Sequence, residues 1–157
     1  ALLHEFRVSH LQIYGDWDLA MLRQFAARRL LTIPVMAVQN EQFAAPFEQW
    51  GGAAGDLAGV VLDAYDPQRA GGTGTAFRWD WVRRARDDGR LATWPRIILA
   101  GGLNPENVAE AVRTATPYAV DVCSGVEHDG RAGFKDPARM RAFVQAARAA
   151  FAETGSP

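Results

Sequence analysis

The stretch "RIILAGGLNPENV", residues 96–108, runs from apolar residues into two glycines and then into Asn-Pro-Glu-Asn. An apolar run without polar alternation is typical of a parallel strand that is covered on both faces. Asn104 is a favourable helix N-cap, and Pro105 suits the first helical position because an N–H there has no helical partner anyway. The stretch therefore predicts an interior strand over residues 97–100 and a helix that begins at about Asn104.

Gly101 and Gly102 separate that strand from that helix. Because glycine has no Cβ, a ligand can approach the backbone N–H groups here, beside the positive end of the helix dipole. An anion site is therefore one interpretation of the two glycines. A tight turn that simply requires glycine is the other, and this stretch alone does not decide between them.

The composition favours one globular domain of moderate size. The chain has 157 residues, 48% of them hydrophobic, which is enough for a real core but short of the ~250 residues of a complete eight-stranded α/β barrel. With 17 basic and 18 acidic residues the formal net charge is -1, so neither nucleic acid nor an anionic membrane is a favoured partner. No apolar run approaches the ~20 residues of a membrane span.

The cysteine and histidine content bears on the cellular compartment and on metal binding. Cys123 is the one cysteine, so an internal disulfide is excluded, and the first ten residues lack the pattern of a signal peptide. We therefore expect a cytoplasmic protein. His4, His10 and His128 are not at metal-ligand spacing, so we expect no metal site.

Strand-like runs alternate with amphipathic helical patterns along the chain. Strands are predicted over residues 9–14, 34–39, 57–63, 97–100 and 119–123. Strict alternation of strands and helices demands parallel strands with right-handed crossovers, so the fold is a doubly wound sheet or a barrel. The boundary near Pro46 stays open, because a proline breaks a helix interior unless the helix begins there.

Capping residues mark the starts of the predicted helices. Asp16 or Asp18 precedes the first, Asp80 is expected to cap a helix in the middle of the chain, and Asp136 with Pro137 starts the last. The last helix is expected to bury one stripe of side chains: Met140, Phe143, Val144 and Ala147. We expect this helix to close the domain.

In both candidate folds, ligands bind where strands end and the following loops begin. Asp63 stands at the end of the third predicted strand and is followed by a glycine-rich loop, residues 71–74. Ser124 and Gly125 follow the fifth strand. Glycine-containing termini on the last two strands match the usual phosphate site of α/β barrels, which favours phosphate as the anion beside the paired glycines.

Four ordered motifs carry a family resemblance: "LDAYDPQRAGGTGTAFRW" at 62–79, "ILAGGLNPENV" at 98–108, "VDVCSGVE" at 120–127 and "GFKDPARMRAFV" at 133–144. They resemble segments of the phosphoribosylanthranilate isomerases of tryptophan biosynthesis, and "LQIYGD" at 11–16 resembles the family's fourth-strand motif. The resemblance implies an α/β fold that is a partial TIM (βα)8 barrel, whose five strands are strands four to eight. It makes residues 1–152 a single partial barrel domain that lacks the first three βα units, and residues 153–157 a flexible tail.

The resemblance also implies an Amadori rearrangement without a cofactor. N-(5'-phosphoribosyl)anthranilate becomes 1-(2-carboxyphenylamino)-1-deoxyribulose 5-phosphate. Asp63 matches the family's general acid, which protonates the ring oxygen so that the furanose opens. The apolar residues beside Asp63 favour a raised pKa by desolvation. Taken without the resemblance, Asp63 is more simply interpreted as a cap of the next loop.

The same resemblance assigns the substrate phosphate and a neighbouring loop. The phosphate is expected on backbone N–H groups around four residues: Gly101, Gly102, Ser124 and Gly125. Gly72, Thr73 and Gly74 are expected to shape the loop near the acid.

This sequence departs from the family pattern at several points. The family's general base is a cysteine on the first strand and an arginine of the second unit holds the anthranilate, so we expect this fragment alone to be inactive. Cys123 stands where the family has serine and is interpreted as a small buried thiol. Tyr14 stands where the family commonly has histidine. Asp121 is interpreted as a structural hydrogen-bonding partner, and Glu127 with Lys135 as organisers of the last loop.

A second hypothesis is a non-catalytic phosphate-binding or structural barrel fragment, which keeps the glycine turns without the base. Strands taken from a barrel have unpaired edges, so the chain is expected to self-associate or to bind a complementing N-terminal barrel segment. Indole-glycerol-phosphate synthase, another phosphate-binding barrel of the pathway, is a third hypothesis, but the "GGTG" loop fits the isomerase better. The expected ligand is a small phosphorylated molecule, with no nucleic-acid or membrane partner.

Overall fold

Parallel strands backed by helices make up the chain in a computed structural model that describes residues 7–27, 30–48, 57–64 and 77–155. The strands are β1 (His10–Ile13), β2 (Leu31–Val38), β3 (Val60–Ala64), β4 (Ile97–Leu99) and β5 (Ala119–Val120). The helices are α1 (Leu19–Ala26), α2 (Ala45–Glu48), α3 (Asp80–Asp87), α4 (Val108–Ala115) and α5 (Pro137–Thr154), with a 3-10 turn at Ser124–Val126. The described part of the chain thus has the alternation that the sequence predicts.

The five strands lie side by side in the order in which they occur in the sequence, and every neighbouring pair is parallel. A doubly wound sheet reverses its strand order at a switch point, whereas the described strands show no reversal. Sequential order is the order of strands around a (βα)8 barrel. The carboxyl ends of the strands lie along one edge of the sheet, where the sequence places its candidate site residues.

The sheet has one face against the helices and one face away from them, because successive side chains of a strand point in opposite directions. In β3, Val60 and Leu62 belong to the core, so Val61 and Asp63 point to the other face. The register places Asp63 beside Ala37 of β2, on that same face. The helices contribute these buried core residues: Leu22, Val82, Ala85, Val108, Ala111, Val112, Ala115, Phe143, Ala147 and Ala150.

All five predicted strands are present, with shifted ends in places. β2 begins at Leu31 and runs through Pro34, where the prediction began. The proline is tolerated because β1 pairs no further than this residue and β3 pairs only from Val35 onward. β5 ends at Val120 rather than at residue 123, because the partner of Val120 on β4 is Leu99, the residue at which β4 ends.

Two of the predicted helix caps are confirmed. Asp18 precedes α1, and its Oδ1 accepts the N–H of Met21 at 2.7 Å. Asp136 precedes α5, its Oδ1 accepts the N–H of Ala138 at 2.7 Å, and Pro137 is the first residue of the helix. Each cap satisfies a backbone donor that a helix leaves unpaired at its start, and its removal costs roughly 1 kcal/mol.

Two other helix starts differ from the prediction. Asp80 is the first residue of α3 rather than its cap, because its carboxylate pairs with Arg78 and Arg84, each at 2.7 Å. The chain turns at Asn104, but the regular helix α4 begins only at Val108. The side chain of Asn104 still accepts two backbone N–H groups in this turn. The sequence therefore located the turn correctly and started the helix too early.

The buried stripe predicted for the last helix is wrong at two positions. Phe143 and Ala147 are buried in the core, but Met140 and Val144 are 47% and 45% exposed. The physical reason is that α5 packs against α4 and the 3-10 turn, so only the side that faces them is buried. Ala150 extends the buried stripe in that direction.

Candidate active site

Four strand ends converge on one cavity of about 370 Å³ at the carboxyl edge of the sheet. Tyr14 follows β1, Asp63 lies near the end of β3, Gly101 and Gly102 follow β4, and Asp121 follows β5. The remaining lining comes from neighbouring positions: Ala100, Leu103, Val122, Cys123, Ser124, Gly125, Glu127, Ala132 and Gly133. The cavity thus brings together every described residue that the sequence predicts for the site.

A larger cavity of about 610 Å³ lies at the ends of β1 and β2 and is lined by Trp17 and Phe43. Nε1 of Trp17 donates a hydrogen bond to the carbonyl oxygen of Val35 at 3.2 Å. Asp16 is the one acidic residue among the described residues that line this cavity. The smaller cavity instead holds Asp63 and Asp121 beside the glycine turns, so we place the chemistry there.

Asp63 has the electrostatic environment of a general acid. Burial, and after it the neighbouring Asp121 carboxylate, raise the pKa of Asp63 above the usual value of an aspartate. A hydrogen bond from the backbone N–H of Ala64 opposes this shift. The three residues before Asp63 are fully buried: Val60, Val61 and Leu62. Asp63 therefore keeps its proton to a higher pH than a free aspartate does.

The turn after β4 fits tightly around Asp63. Gly101 has a φ of +79°, a backbone conformation that favours glycine. A Cβ at this position would collide with the backbone nitrogen of Ala64 and would lie 2.6 Å from Oδ1 of Asp63. Because residue 101 has no Cβ, the Asp63 carboxylate can occupy this space.

Two asparagines hold the shape of the turn that follows. Oδ1 of Asn104 accepts the backbone N–H groups of Glu106 and Asn107 at 3.0 and 2.9 Å. In return, Oδ1 of Asn107 accepts the N–H of Asn104 at 2.8 Å, and Nδ2 of Asn107 donates to the carbonyl oxygen of Gly102 at 2.9 Å. The carbonyl oxygen of Gly102 is therefore already paired with a side-chain donor.

The loop after β5 packs directly on that turn. A Cβ on Gly125 would collide with the carbonyl oxygen of Leu103, so only glycine lets the two loops touch. Arg139 of α5 donates to the carbonyl oxygen of Gly125 from Nε at 3.2 Å and from Nη2 at 3.1 Å. Nη2 of Arg139 also lies 3.5 Å from Oε2 of Glu106. Arg139 thus holds the Gly125 carbonyl and brings a positive charge beside the glycine turns.

Cys123 is exposed and lines the cavity, so the prediction of a buried strand thiol is wrong. The reason is that β5 ends before this residue. Nζ of Lys135 lies 2.9 Å from the carbonyl oxygen of Cys123, 3.4 Å from its Sγ and 2.7 Å from Oε1 of Glu127. The Lys135 ammonium lowers the pKa of Glu127, and Glu127 in turn raises the pKa of Lys135. Lys135 and Glu127 hold the last loop against the strand end, which is the role predicted for them.

Sequence reasoning missed Asp121 as a residue of the site. Its backbone N–H donates to β4, but its side chain is exposed and lines the cavity with Asp63. The available signal was the alternation of strand side chains: Val120 packs on the core, so residue 121 points to the opposite face. The same rule places the side chain of Tyr14 on the cavity face, because Ile13 packs on the core.

Part of the predicted site lies outside the described residues, namely Gly72, Thr73 and Gly74 of the loop near the acid. Within the described ranges, no cluster of three or more His, Cys, Asp or Glu side chains could hold a metal ion. Those ranges also contain no helix with the length and apolar character needed to cross a membrane.

The cavity combines two chemical capacities. The two glycine turns can bind a small anion, and the acid beside them can donate a proton to a nearby oxygen.

Comparison with known proteins gives consistent matches. The sequence profile of N-(5'phosphoribosyl)anthranilate (PRA) isomerase matches residues 1–146. The N-(5'-phosphoribosyl)anthranilate isomerase of Moorella thermoacetica is 42% identical over 144 residues, which are 92% of this chain and 58% of that protein. Phosphoribosyl anthranilate isomerase from Thermotoga maritima has a TM-score of 0.75 at 28% identity, over 94% of this chain and 65% of that chain.

A further solved structure is similar and contains a ligand. It is a phosphoribosyl anthranilate isomerase in complex with reduced 1-(o-carboxyphenylamino)-1-deoxyribulose 5-phosphate. Its TM-score is 0.70 at 26% identity, over 94% of this chain and 63% of that chain. The present chain therefore spans between 58% and 65% of the length of these relatives.

Proposed function

The chain belongs to the N-(5'-phosphoribosyl)anthranilate isomerase family, and on that basis we propose that it carries the acid and the phosphate site for isomerising N-(5'-phosphoribosyl)anthranilate in tryptophan biosynthesis. The product is 1-(2-carboxyphenylamino)-1-deoxyribulose 5-phosphate, a reduced form of which is bound in a solved relative. One observation carries the proposal. Asp63, whose pKa is raised, lies in the same cavity as the two glycine turns.

The two glycine turns are the proposed site of the substrate phosphate. Gly101 and Gly102 precede α4, and Ser124 and Gly125 lie in the turn after β5. Backbone N–H groups near the start of a helix and in such turns suit an anion, because their partial positive charges point at it. Arg139 adds a positive charge behind Gly125, which the Glu106 carboxylate 3.5 Å away offsets in part. This arrangement favours a phosphate over a neutral group.

Asp63 is the proposed donor of a proton to the ring oxygen of the substrate. Protonation lets the C1–O bond break, so that the nitrogen lone pair forms an iminium at C1, the oxygen becomes the C4 hydroxyl, and Asp63 becomes a carboxylate. A base then removes the proton from C2, which gives an enolamine that tautomerises to the ketone. The raised pKa of Asp63 supports the first step because it keeps the acid protonated to a higher pH than a free aspartate.

The base and the arginine that holds the anthranilate are proposed to come from a complementing N-terminal barrel segment. The family resemblance places both in the first two βα units, and this chain spans 58% of the Moorella relative. Among the described strands, β1 pairs only with β2 and β5 only with β4, which supports a further partner at each edge. Self-association is the alternative way to cover these edges. The 157 residues alone are then expected to show no turnover.

The proposed setting is the cytoplasm, where the thiol of Cys123 stays reduced. The proposed ligand is the phosphorylated substrate alone. Nucleic acid and membrane are not proposed as partners, because a formal net charge of -1 gives no attraction to either.

Co-expression with the first three βα units of the Moorella relative tests this function. In a host that lacks the isomerase, the pair is expected to restore growth without tryptophan, and each part alone is the matched control. Growth supported by this chain alone would contradict its dependence on a complementing segment. Failure of the pair, combined with calorimetric binding of inorganic phosphate by this chain, would favour a non-catalytic phosphate-binding module instead.

A further inference from the structure

Tyr14 is an aromatic residue of the cavity for which the proposed mechanism has no role. Its side chain is 62% exposed, more than any other large hydrophobic side chain among the described residues. It follows β1 and lines the same cavity as Asp63. An exposed aromatic ring on a cavity wall is a surface against which a flat apolar ligand can stack.

The strand order places Tyr14 at one end of a line of functional groups. The glycine turns follow β4 and β5, Asp63 lies on β3, and Tyr14 lies beyond β2 at the end of β1. With strands about 4.8 Å apart, Tyr14 is roughly 10 Å from Asp63 along the sheet. A ligand that has its phosphate in the turns and its reacting atoms at Asp63 can therefore reach Tyr14 with its remaining group.

Tyr14 offers a protonated hydroxyl as well as a ring. Partial burial, and after it the Asp63 carboxylate, raise the pKa of Tyr14, with smaller contributions from Asp121 and Cys123. Nε2 of Gln12 donates to Oη of Tyr14 at 3.3 Å, which uses a lone pair of the phenol and leaves its proton for another acceptor. The phenol is therefore a hydrogen-bond donor at neutral pH. A carboxylate is the acceptor that forms the strongest such bond.

We propose that Tyr14 binds the carboxyphenylamino end of the substrate, with its ring against the aryl ring and its hydroxyl toward the aryl carboxylate. This inference rests on the proposed function, because that function supplies an aryl group at the end of the substrate away from the phosphate. Tyr14 is then a specificity-determining residue. It selects arylamino sugar phosphates over sugar phosphates that lack an aryl group.

Isothermal titration calorimetry with two probes, on the chain co-expressed with its complementing N-terminal segment, tests this role. The first probe is reduced 1-(o-carboxyphenylamino)-1-deoxyribulose 5-phosphate, and the second is ribose 5-phosphate, which has a phosphate and no aryl group. Tyr14→Ala is expected to weaken binding of the aryl probe about three- to tenfold and to change binding of ribose 5-phosphate less than about twofold. Tyr14→Phe keeps the ring and is expected to retain part of the preference.

Tyr118→Ala is the matched control. Tyr118 is also an exposed tyrosine, at 41%, but it precedes β5 at the opposite edge of the sheet and packs under Arg96. It does not line the cavity, so its removal is expected to leave the affinity for both probes unchanged. Thermal unfolding of each variant checks that the exposed substitution leaves the fold intact.

Each other outcome overturns either the role of Tyr14 or the proposed function. An equal loss for both probes with Tyr14→Ala would mean that Tyr14 shapes the cavity in general, and no loss would mean that it makes no contact; both overturn the proposal. A wild-type preference that survives Tyr14→Ala overturns the role of Tyr14 and leaves the proposed function in place. A wild-type complex of the chain with its complementing segment that does not prefer the aryl probe overturns the proposed function as well.

Discussion

Oδ1 of Asp63 lies 2.6 Å from the point that a Cβ on Gly101 would occupy, so the carboxylate and the turn after β4 share one tightly filled space. The sequence alone does not decide whether this glycine serves an anion site or a tight turn. In the structure, the close approach of Ala64 and of the Asp63 carboxylate requires it. Its φ of +79° is a second requirement. Because the strand end and the turn are packed against each other, the acid and the proposed phosphate site are held at a constant separation.

Gly101→Ala is expected to lower the free energy of unfolding by more than the strain of its positive φ accounts for. Gly89 is the matched control, because its φ of +76° is similar but nothing lies within 4 Å of a Cβ there. Gly89→Ala is expected to cost about 1 kcal/mol from backbone strain alone. Gly101→Ala is expected to cost about 1–3 kcal/mol more, because the methyl group displaces Asp63 or Ala64. Urea unfolding measures both, and equal costs would refute the shared space.

The raised pKa of Asp63 predicts a pH-dependent stability difference. The folded state holds this proton more tightly than the unfolded state, so the contribution is fully present below the unfolded pKa and is lost as pH rises through the folded pKa. Asp63→Asn has no such loss. The free energy of unfolding of the variant, relative to wild type, is therefore expected to increase as pH rises above the ordinary aspartate pKa of about 4.

Asp80→Asn is the control, because its stability difference is expected to change with pH in the opposite direction. A hydrogen bond from Arg78 lowers the pKa of Asp80, so its contribution to stability is present above the unfolded pKa and is lost as pH falls. The free energy of unfolding of Asp80→Asn, relative to wild type, is expected to decrease with rising pH. Chemical unfolding at a series of pH values gives both slopes, and a flat difference for Asp63→Asn would contradict the raised pKa.

Asp121→Asn is expected to lower the pKa of Asp63, because it removes the negative charge that disfavours ionisation of Asp63. Carbon NMR of labelled aspartate carboxyl groups follows this titration directly. Glu127→Gln is the matched control, since Glu127 lines the same cavity but its charge is paired with Lys135 at 2.7 Å. An unchanged titration of Asp63 in Asp121→Asn would mean that burial alone holds the proton.

Much of this site could be predicted from the sequence because strand ends and turn residues are local signals. The glycines at 101 and 102 and the aspartate at 63 stand at the ends of apolar runs, which shows where the sheet edge lies. The caps Asp18 and Asp136 were predictable for the same reason, because their hydrogen bonds reach only two or three residues along the chain.

The wrong predictions concern residues whose burial or pairing depends on contacts with other segments of the chain. Cys123 is exposed because β5 has only two residues, and its length is set by pairing with β4 rather than by its own sequence. Met140 and Val144 are apolar and helically spaced, but burial also requires a neighbour on that side. Asp80 is a good capping residue whose carboxylate is bound by two arginines instead.

Arg139→Met is expected to weaken binding of inorganic phosphate about three- to tenfold, because the Gly125 carbonyl loses its two donors and the positive charge is removed. Arg141→Met is the matched control, since Arg141 is an exposed arginine of the same helix, whereas the two hydrogen bonds to the Gly125 carbonyl come from Arg139. Calorimetric titration with phosphate measures both affinities. An equal effect of the two substitutions would mean that only the overall charge of the chain matters.

Donation of the ring-opening proton by Asp63 can be measured as turnover. The experiment compares steady-state turnover of N-(5'-phosphoribosyl)anthranilate by the complemented enzyme between wild type and Asp63→Asn. The kcat of the variant is expected to fall about 10²- to 10⁴-fold while KM changes only a few-fold, because the phosphate site is intact. A kcat that stays within about threefold of wild type would contradict the claim, since that loss is far below what removing a general acid causes.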